Sequence, residues 1–205
     1  TKRGDLDKVL EGIFAAKDAG LAPIKLNAVV ERGVNDDDII PLVEFSREHG
    51  FAMRFIEYMD VGNSNNWTSA KLVSKKEIIE KIHSRYALRE IGRDQGSAPS
   101  VDYEFADGRG DIGVIASVTE PFCGSCTRLR LTADGKIVTC LFSQLGHDVK
   151  GLMRGGATDE EVRTFLSSIW QKRTDRYSDE RLTALNSATY DPKNHRKIEM
   201  ISLGG

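Results

Sequence analysis

Two cysteines three residues apart, Cys123 and Cys126, with a third at Cys140, place the tightest constraint on this chain. The stretch reads Phe122-Cys-Gly-Ser-Cys-Thr-Arg-Leu-Arg-Leu-Thr, and thirteen residues separate Cys126 from Cys140. Gly124 permits the tight turn that brings both thiols to one side. Asp134-Gly135 is a hairpin signal. A hairpin there folds the chain back and returns Cys140 to the CxxC loop. An odd number of cysteines without a visible export signal favours a metal or redox site over a disulfide framework. Three thiolates leave one coordination position open. A structural zinc wants a fourth protein ligand, and His147 and His195 are the candidates, neither at a telling spacing. A [4Fe–4S] cluster on three thiolates keeps one iron free for a small molecule. Cysteines also pack as small buried hydrophobes, but CxxC beside a hairpin fills a core poorly. Spacing alone leaves iron–sulfur and zinc both open.

Arginines stand beside the sulfurs. In a strand starting near Cys126, Cys126, Arg128 and Arg130 share one face. Two guanidiniums next to a ligand cysteine make a fork suited to phosphate oxygens; the plain alternative is a solvated strand face. The net charge of -2 argues against broad nucleic-acid binding, so anion chemistry must rest on such local cations. No apolar run reaches the roughly 20 residues of a membrane span, which excludes a membrane-spanning helix on sequence grounds.

The first 90 residues alternate helical and strand patterns. Leu6, Val9, Leu10, Ile13 and Phe14 mark a helix face over Asp5–Lys17, with Gly20 to cap it. Ile24–Val30 reads as a strand. Asn35 or an aspartate after it caps a helix ending at His49, with Gly50 beyond. Phe51–Met59 is a second strand. A loop of Asn, Gly and Ser leads to a helix opened by Ser74 with Glu77 at capping-box spacing. This order predicts parallel strands joined by crossovers. Two strands cannot close a barrel, and the helix begins almost at once, so an upstream part is expected to be missing. Lys25 and Asn27 share a strand face, and Arg54 lies in a nearly apolar strand. Charges inside parallel strands need partners: an anion at the C-terminal ends of barrel strands, near Met59, or ion pairs with glutamates such as Glu57.

After residue 90 the grammar changes. Arg93–Ser100 reads as a linker. Short strands are predicted over 101–105, 112–118, 127–132 and 136–141, and helices over 158–172 and 178–185. The tail from Tyr190 to Gly205 has no strong period. The division falls at 1–92 and 93–205.

Taken together, the segments Lys25-Leu-Asn-Ala-Val-Val and Arg54-Phe-Ile-Glu-Tyr-Met, the cysteine–arginine block and the terminal Gly-Gly resemble the GTP 3′,8-cyclase family. These are radical S-adenosyl-L-methionine enzymes of molybdenum-cofactor biosynthesis, and the resemblance covers essentially the whole chain. It implies an α/β fold: residues 1–92 as the C-terminal part of an incomplete (β/α)6 TIM-like barrel, and 93–205 as an α+β region with an auxiliary [4Fe–4S] cluster on Cys123, Cys126 and Cys140. It implies Arg128, Arg130, Lys25 and Arg54 around GTP, and Asn27 and Met59 near S-adenosyl-L-methionine. It also implies a Gly204-Gly205 tail reaching the active site. The family's reaction starts with a 5′-deoxyadenosyl radical and joins a ribose carbon to guanine C8. The expected setting is cytoplasmic, without nucleic-acid or membrane partners. A homodimer is one assembly to expect, and cyclic pyranopterin monophosphate synthase is the downstream partner. The family's CxxxCxxC motif, which holds a second [4Fe–4S] cluster, is absent here. The chain alone is therefore expected not to catalyse. A zinc- or cluster-binding scaffold, or another radical enzyme with an auxiliary cluster, is the alternative.

Overall fold

The computed structural model describes residues 5–191 and 197–203. His195, Gly204 and Gly205 lie outside them. The chain divides into two compact units. The first gathers residues up to Glu57 with Val73–Asp94 and Ser100–Ala116; the second gathers Tyr58–Leu72, Gln95–Pro99 and the chain from Ser117 onward.

In the first unit, α1 (Leu6–Asp18) stops where its last carbonyls find donors. Gly20 (φ 77°) donates to Lys17 O at 2.9 Å and Leu21 to Ala16 O at 3.1 Å, a Schellman closure that needs a residue without Cβ. Strands β1 (Lys25–Val30) and β2 (Ala52–Glu57) pair in parallel as the pattern predicts, Lys25 opposite Ala52 and Val30 opposite Glu57. Between them runs α2 (Ile39–His49), ended by Gly50 in the left-handed region. The expected side-chain cap on α2 is not made. Asn35 Oδ1 accepts from Glu31 N and Asp36 Oδ1 from Gly33 N, so these side chains close the preceding loop instead. Asp38 holds the cap position without a side-chain bond. α3 (Lys75–His83) opens on the predicted box, Ser74 with Glu77. The buried Glu57 carboxylate accepts from Lys75 N at 2.8 Å. It thereby sets a negative charge at the positive end of α3.

Three further strands complete a mixed sheet in the order β1-β2-β5-β4-β3: β3 (Leu88–Gly92), β4 (Val101–Phe105) and β5 (Asp111–Ile115). β5 runs parallel to β2, while β4 pairs antiparallel with both β5 and β3. The position of the expected division, residue 92, is the last residue of β3 and falls inside this sheet. Val30, Val43, Phe55, Ile78, Ile82 and Ile112 are sealed in the core against its covered face. Each such side chain contributes roughly 1.5–3 kcal/mol. β1 lies at the sheet edge with Lys25, Asn27 and Val29 exposed on one face.

In the second unit, β6 (Arg130–Leu131), β7 (Lys136–Val138) and β8 (His147–Asp148) form a small antiparallel sheet. The predicted hairpin is present: Thr132 N donates to Lys136 O at 2.8 Å and Gly135 N to Thr132 O at 3.0 Å. Gly135 has φ 85°, and a Cβ there would sit 2.5 Å from Lys150 Cβ, so only glycine fits. The strand expected over 127–132 shrinks to two residues, because a 3₁₀ turn at Cys123–Ser125 starts the segment and only Arg130 and Leu131 reach the β7 ladder. α4 (Val149–Arg154) is a helix the sequence pattern did not announce, capped by Asp148 accepting from Gly151 N. α5 (Asp159–Gln171) carries a second capping box, Thr158 with Glu161, and α6 (Tyr177–Asn186) follows after a short connector. Ile137, Val149 and Ile169 form the local core. Among the described residues no helix is long and apolar enough to cross a membrane.

Candidate functional site

The hairpin folds the Cys140 stretch back toward the CxxC turn. Cys123 starts the 3₁₀ turn, and Cys126 closes it with its N–H on Cys123 O at 3.2 Å. Cys140 follows β7 and lies within electrostatic reach of both. All three are outside any disulfide and partly buried. Arg128 Nη2 and Nε donate to Cys126 Sγ at 2.9 and 3.2 Å. Phe142 N–H points at Cys140 Sγ at 3.5 Å.

The two sulfurs sit in opposite fields. Burial pushes the Cys126 thiol up, but the N–H and guanidinium of Arg128, with the charge of Arg173, pull it below the usual thiol range. Burial raises the Cys140 thiol; Phe142 N–H works against this, and Asp175 and the other two sulfurs add to it. Arg130, half-buried, is held below its ordinary value by burial and by Arg128, and only the sulfurs act in its favour. No carboxylate among the described residues pairs with Arg130. Two guanidiniums therefore stand close together beside the thiols.

Two residues here had no sequence signal. Arg173, in the connector between α5 and α6, donates through Nη1 to Cys126 O at 2.8 Å and through Nη2 to Cys123 O at 3.5 Å. Its Nε meets Asp175 Oδ2 at 2.8 Å, and Asp175 Oδ1 accepts from Thr139 Oγ1 at 2.7 Å. Thr139, His147, Arg173 and Asp175 also line a cavity of about 340 Å³. His147 does not complete a metal site: among the described residues no three His, Cys, Asp or Glu side chains converge on a single ion.

The remaining predicted residues fall elsewhere. Lys25, Asn27 and Arg54 belong to the first unit. Asn27 is opposite Arg54, Arg54 opposite Gly113 and Gly113 opposite Asp102, a row across four strands. Arg54 Nη2 lies 3.9 Å from Asp102 Oδ2, which is the carboxylate it faces; Glu57 is turned to the other side of the sheet, so the expected glutamate pairing is replaced. Met59 belongs to the second unit, half-buried, with its carbonyl accepting from Asn65 Nδ2 at 2.8 Å. The next residue, Asp60, had not been singled out. It is buried and receives Tyr177, Tyr190, Arg181 and Lys197 together. A cavity of about 680 Å³ is lined by Asp60, Asn63, Trp67, Lys197 and Glu199 and, among the described residues, by none predicted for the site.

A family model described as Molybdenum Cofactor Synthesis C matches residues 51–179, a stretch that contains all three cysteines, Arg128, Arg130 and Arg173. Among similar proteins, the GTP 3′,8-cyclase of Acidothermus cellulolyticus is 44% identical over 98% of this chain and 60% of its own length. That of Synechococcus sp. (strain WH7803) is 44% identical over 98% of this chain and 56% of its own. That of Xanthomonas axonopodis pv. citri is 41% identical over 99% and 58%. The chain thus spans somewhat over half the length of these relatives. With the match running from the second strand through the cysteine hairpin to the connector that grips it, the chain belongs to the Molybdenum Cofactor Synthesis C family.

Proposed function

We propose that this chain is the cluster-bearing, GTP-facing part of a GTP 3′,8-cyclase of molybdenum-cofactor biosynthesis. The observation that carries the reading is the joining of three free thiols with Arg128 and Arg130, one guanidinium on a sulfur and the other half-buried without a carboxylate among the described residues.

The donor set fits a [4Fe–4S] cluster. Three thiols and an N–H and a guanidinium directed at sulfur are what such a cluster takes from a protein. Held at about 2.3 Å from one zinc, three thiolates would stand roughly 4 Å apart. Cys123 and Cys126 act electrostatically on Cys140, and the cluster reading is taken over zinc on the resemblance and on the absence of a fourth protein ligand at a telling spacing. Bound through Cys123, Cys126 and Cys140, the cluster would offer an open iron to the guanine of GTP. The chain's own residues supply the rest. Arg128 and Arg130 hold the triphosphate, and Lys25 and Arg54 from the α/β sheet add cations to the same nucleotide. Asn27 and Met59 border S-adenosyl-L-methionine, and Gly204-Gly205 reaches the active site. The sheet of the first unit is read as the C-terminal part of the incomplete (β/α)6 barrel.

The 205 residues contain no cysteines beyond these three, hence no CxxxCxxC site for a second cluster and for generating the radical. Activity is therefore assigned to a longer protein that also carries that motif, with a reducing cytoplasm as its proposed setting. A homodimer is its proposed assembly, and cyclic pyranopterin monophosphate synthase its downstream partner. The test is anaerobic reconstitution with iron and sulfide. This chain should turn brown, and Cys140→Ser should stay colourless. The full-length protein, given GTP, S-adenosyl-L-methionine and a reductant, should yield 3′,8-cyclo-GTP by mass spectrometry. A colourless chain holding one zinc would overturn the cluster reading, and a brown protein indifferent to GTP would overturn the substrate.

A further inference from the structure

The three cysteines lie on two stretches that the β6–β7 ladder joins only at Arg130–Val138 and Leu131–Ile137, short of the cysteines themselves. The connector between α5 and α6 crosses both. Arg173 reaches the CxxC turn through its two terminal nitrogens, on Cys126 O at 2.8 Å and Cys123 O at 3.5 Å. Its remaining nitrogen, Nε, is on Asp175 Oδ2 at 2.8 Å. The other oxygen of Asp175 accepts from Thr139 Oγ1 at 2.7 Å, and Thr139 is bonded directly to Cys140 in the chain. Arg173 is only 13% exposed along its side chain, so these bonds are made largely out of water. The guanidinium is planar and forked, and it is the one side chain that can satisfy two carbonyls and a carboxylate in fixed directions.

We propose that Arg173 and Asp175 act as positioning residues, a bracket that sets the CxxC turn against the Cys140 stretch at the spacing a cluster needs. The inference rests on the cluster reading above. Cys126 and Cys123 are held through their carbonyls, Cys140 through its neighbour, and the ion pair is the rigid link between them. None of these bonds uses a sulfur lone pair, so the bracket leaves all three thiolates free for iron. Gly124 adds to the fit: a Cβ there would come to 3.6 Å from Arg176 Nη2, so the connector lies directly over the turn.

The test uses the reconstituted chain and three variants, Arg173→Lys, Asp175→Asn and Thr139→Ala. Iron loss to a chelator is followed by absorbance, and the reduced cluster by electron paramagnetic resonance. Partners outside the ligand set typically change metal affinity by about 10- to 100-fold. Iron should leave Arg173→Lys and Asp175→Asn at least about tenfold faster than wild type, with an altered spectrum. Lysine keeps the charge but not the fork, so its failure to rescue marks geometry rather than charge as the cause. Thr139→Ala removes one hydroxyl and no charge, and should lie between wild type and the other two. If wild type binds iron and all three variants release it at the wild-type rate with the wild-type spectrum, the bracket is overturned. If Arg173→Lys alone is restored to wild-type behaviour, the geometric role is overturned in favour of charge. A wild-type chain that takes up no iron sinks the cluster reading itself, a separate outcome from either.

Discussion

Arg181 lies against Asp60 with both side chains sealed from solvent. Tyr177, Tyr190 and Lys197 crowd the same carboxylate, and Arg181 also stacks over the rings of Phe142 and Tyr177. One anion therefore balances two buried cations and orders two phenols. A buried pair is costly to form, but removing one partner is costlier still, because the other charge stays behind. Asp60→Asn keeps the shape and removes the charge, and should lower stability by about 3–5 kcal/mol. Urea unfolding followed by circular dichroism measures this. Adding Arg181→Met should recover part of the loss, because the orphaned cation goes with it. An Asp60→Asn protein as stable as wild type would show that the cluster of charges contributes nothing.

The same carboxylate predicts an acid limb. Burial raises the Asp60 carboxyl, but Arg181, Tyr177, Tyr190 and Lys197 outweigh it and hold the group down at about 2, against an ordinary 3.8. The folded value is the lower one, so the unfolded chain binds more protons between the two. The stabilisation is complete above pH ~4 and is lost as pH falls toward 2, on the order of 2 kcal/mol in all. Unfolding free energy measured from pH 5 to 2.5 should fall more steeply for wild type than for Asp60→Asn. Parallel curves would assign the acid sensitivity to other groups.

Gly113 is a prediction about space rather than charge. In β5 it stands between Arg54 of β2 and Asp102 of β4. A Cβ there would meet Ser100 Oγ at 2.1 Å, Asp102 Oδ1 at 2.6 Å and Arg54 Cγ at 3.3 Å. Its backbone is ordinary strand, so the clash is the whole effect. Gly113→Ala should cost about 1–3 kcal/mol, and less in a Ser100→Ala background, where the nearest atom is gone. Thermal melts of the four proteins form the cycle. Equal costs in both backgrounds would mean that Ser100 is not what excludes the methyl.

How much of this was legible in the sequence depends on how far apart the interacting residues are. Ser74 with Glu77, Gly50 after α2, the Asp134-Gly135 turn and the parallel β1–β2 pair each rest on local periodicity or cap chemistry, and the pattern gives them directly. β3 does not look like a strand because Leu88-Arg-Glu-Ile-Gly is an edge strand with its charges exposed, and alternation is lost there. Arg54 was recognisable as a charge needing a partner, but not which partner, since Asp102 reaches it only through sheet order. Arg173 acts on a carbonyl 47 residues away, and Tyr177 on a carboxylate 117 away. Neither carries a periodic or motif signature. The cysteine constellation is legible because its spacing is chemical; the residues that bond to its backbone are single charges in a connector.

The nucleotide reading stands on Arg130 more than on Arg128. Arg128 has a partner already, Cys126 Sγ, so its removal would disturb sulfur and anion together. Arg130 is half-buried beside a like charge, with burial and Arg128 both working against its cationic form. A triphosphate would relieve both. A charge-assisted hydrogen bond contributes about 1.5–3 kcal/mol, so Arg130→Ala in the full-length enzyme should lower kcat/KM for GTP by about 30-fold, taking 1.4 kcal/mol per factor of ten. Iron content and the resonance of the reduced cluster should stay at wild-type values. The wild-type KM for GTP should rise with salt, since exposed parts of an arginine–phosphate contact are screened over about 8–10 Å, and the rise should be smaller in Arg130→Ala. Arg128→Ala should lose GTP use as well, but with a shifted cluster spectrum. Unchanged kinetics in Arg130→Ala, with the cluster intact, would remove the triphosphate from this site and leave the sulfurs without their proposed substrate.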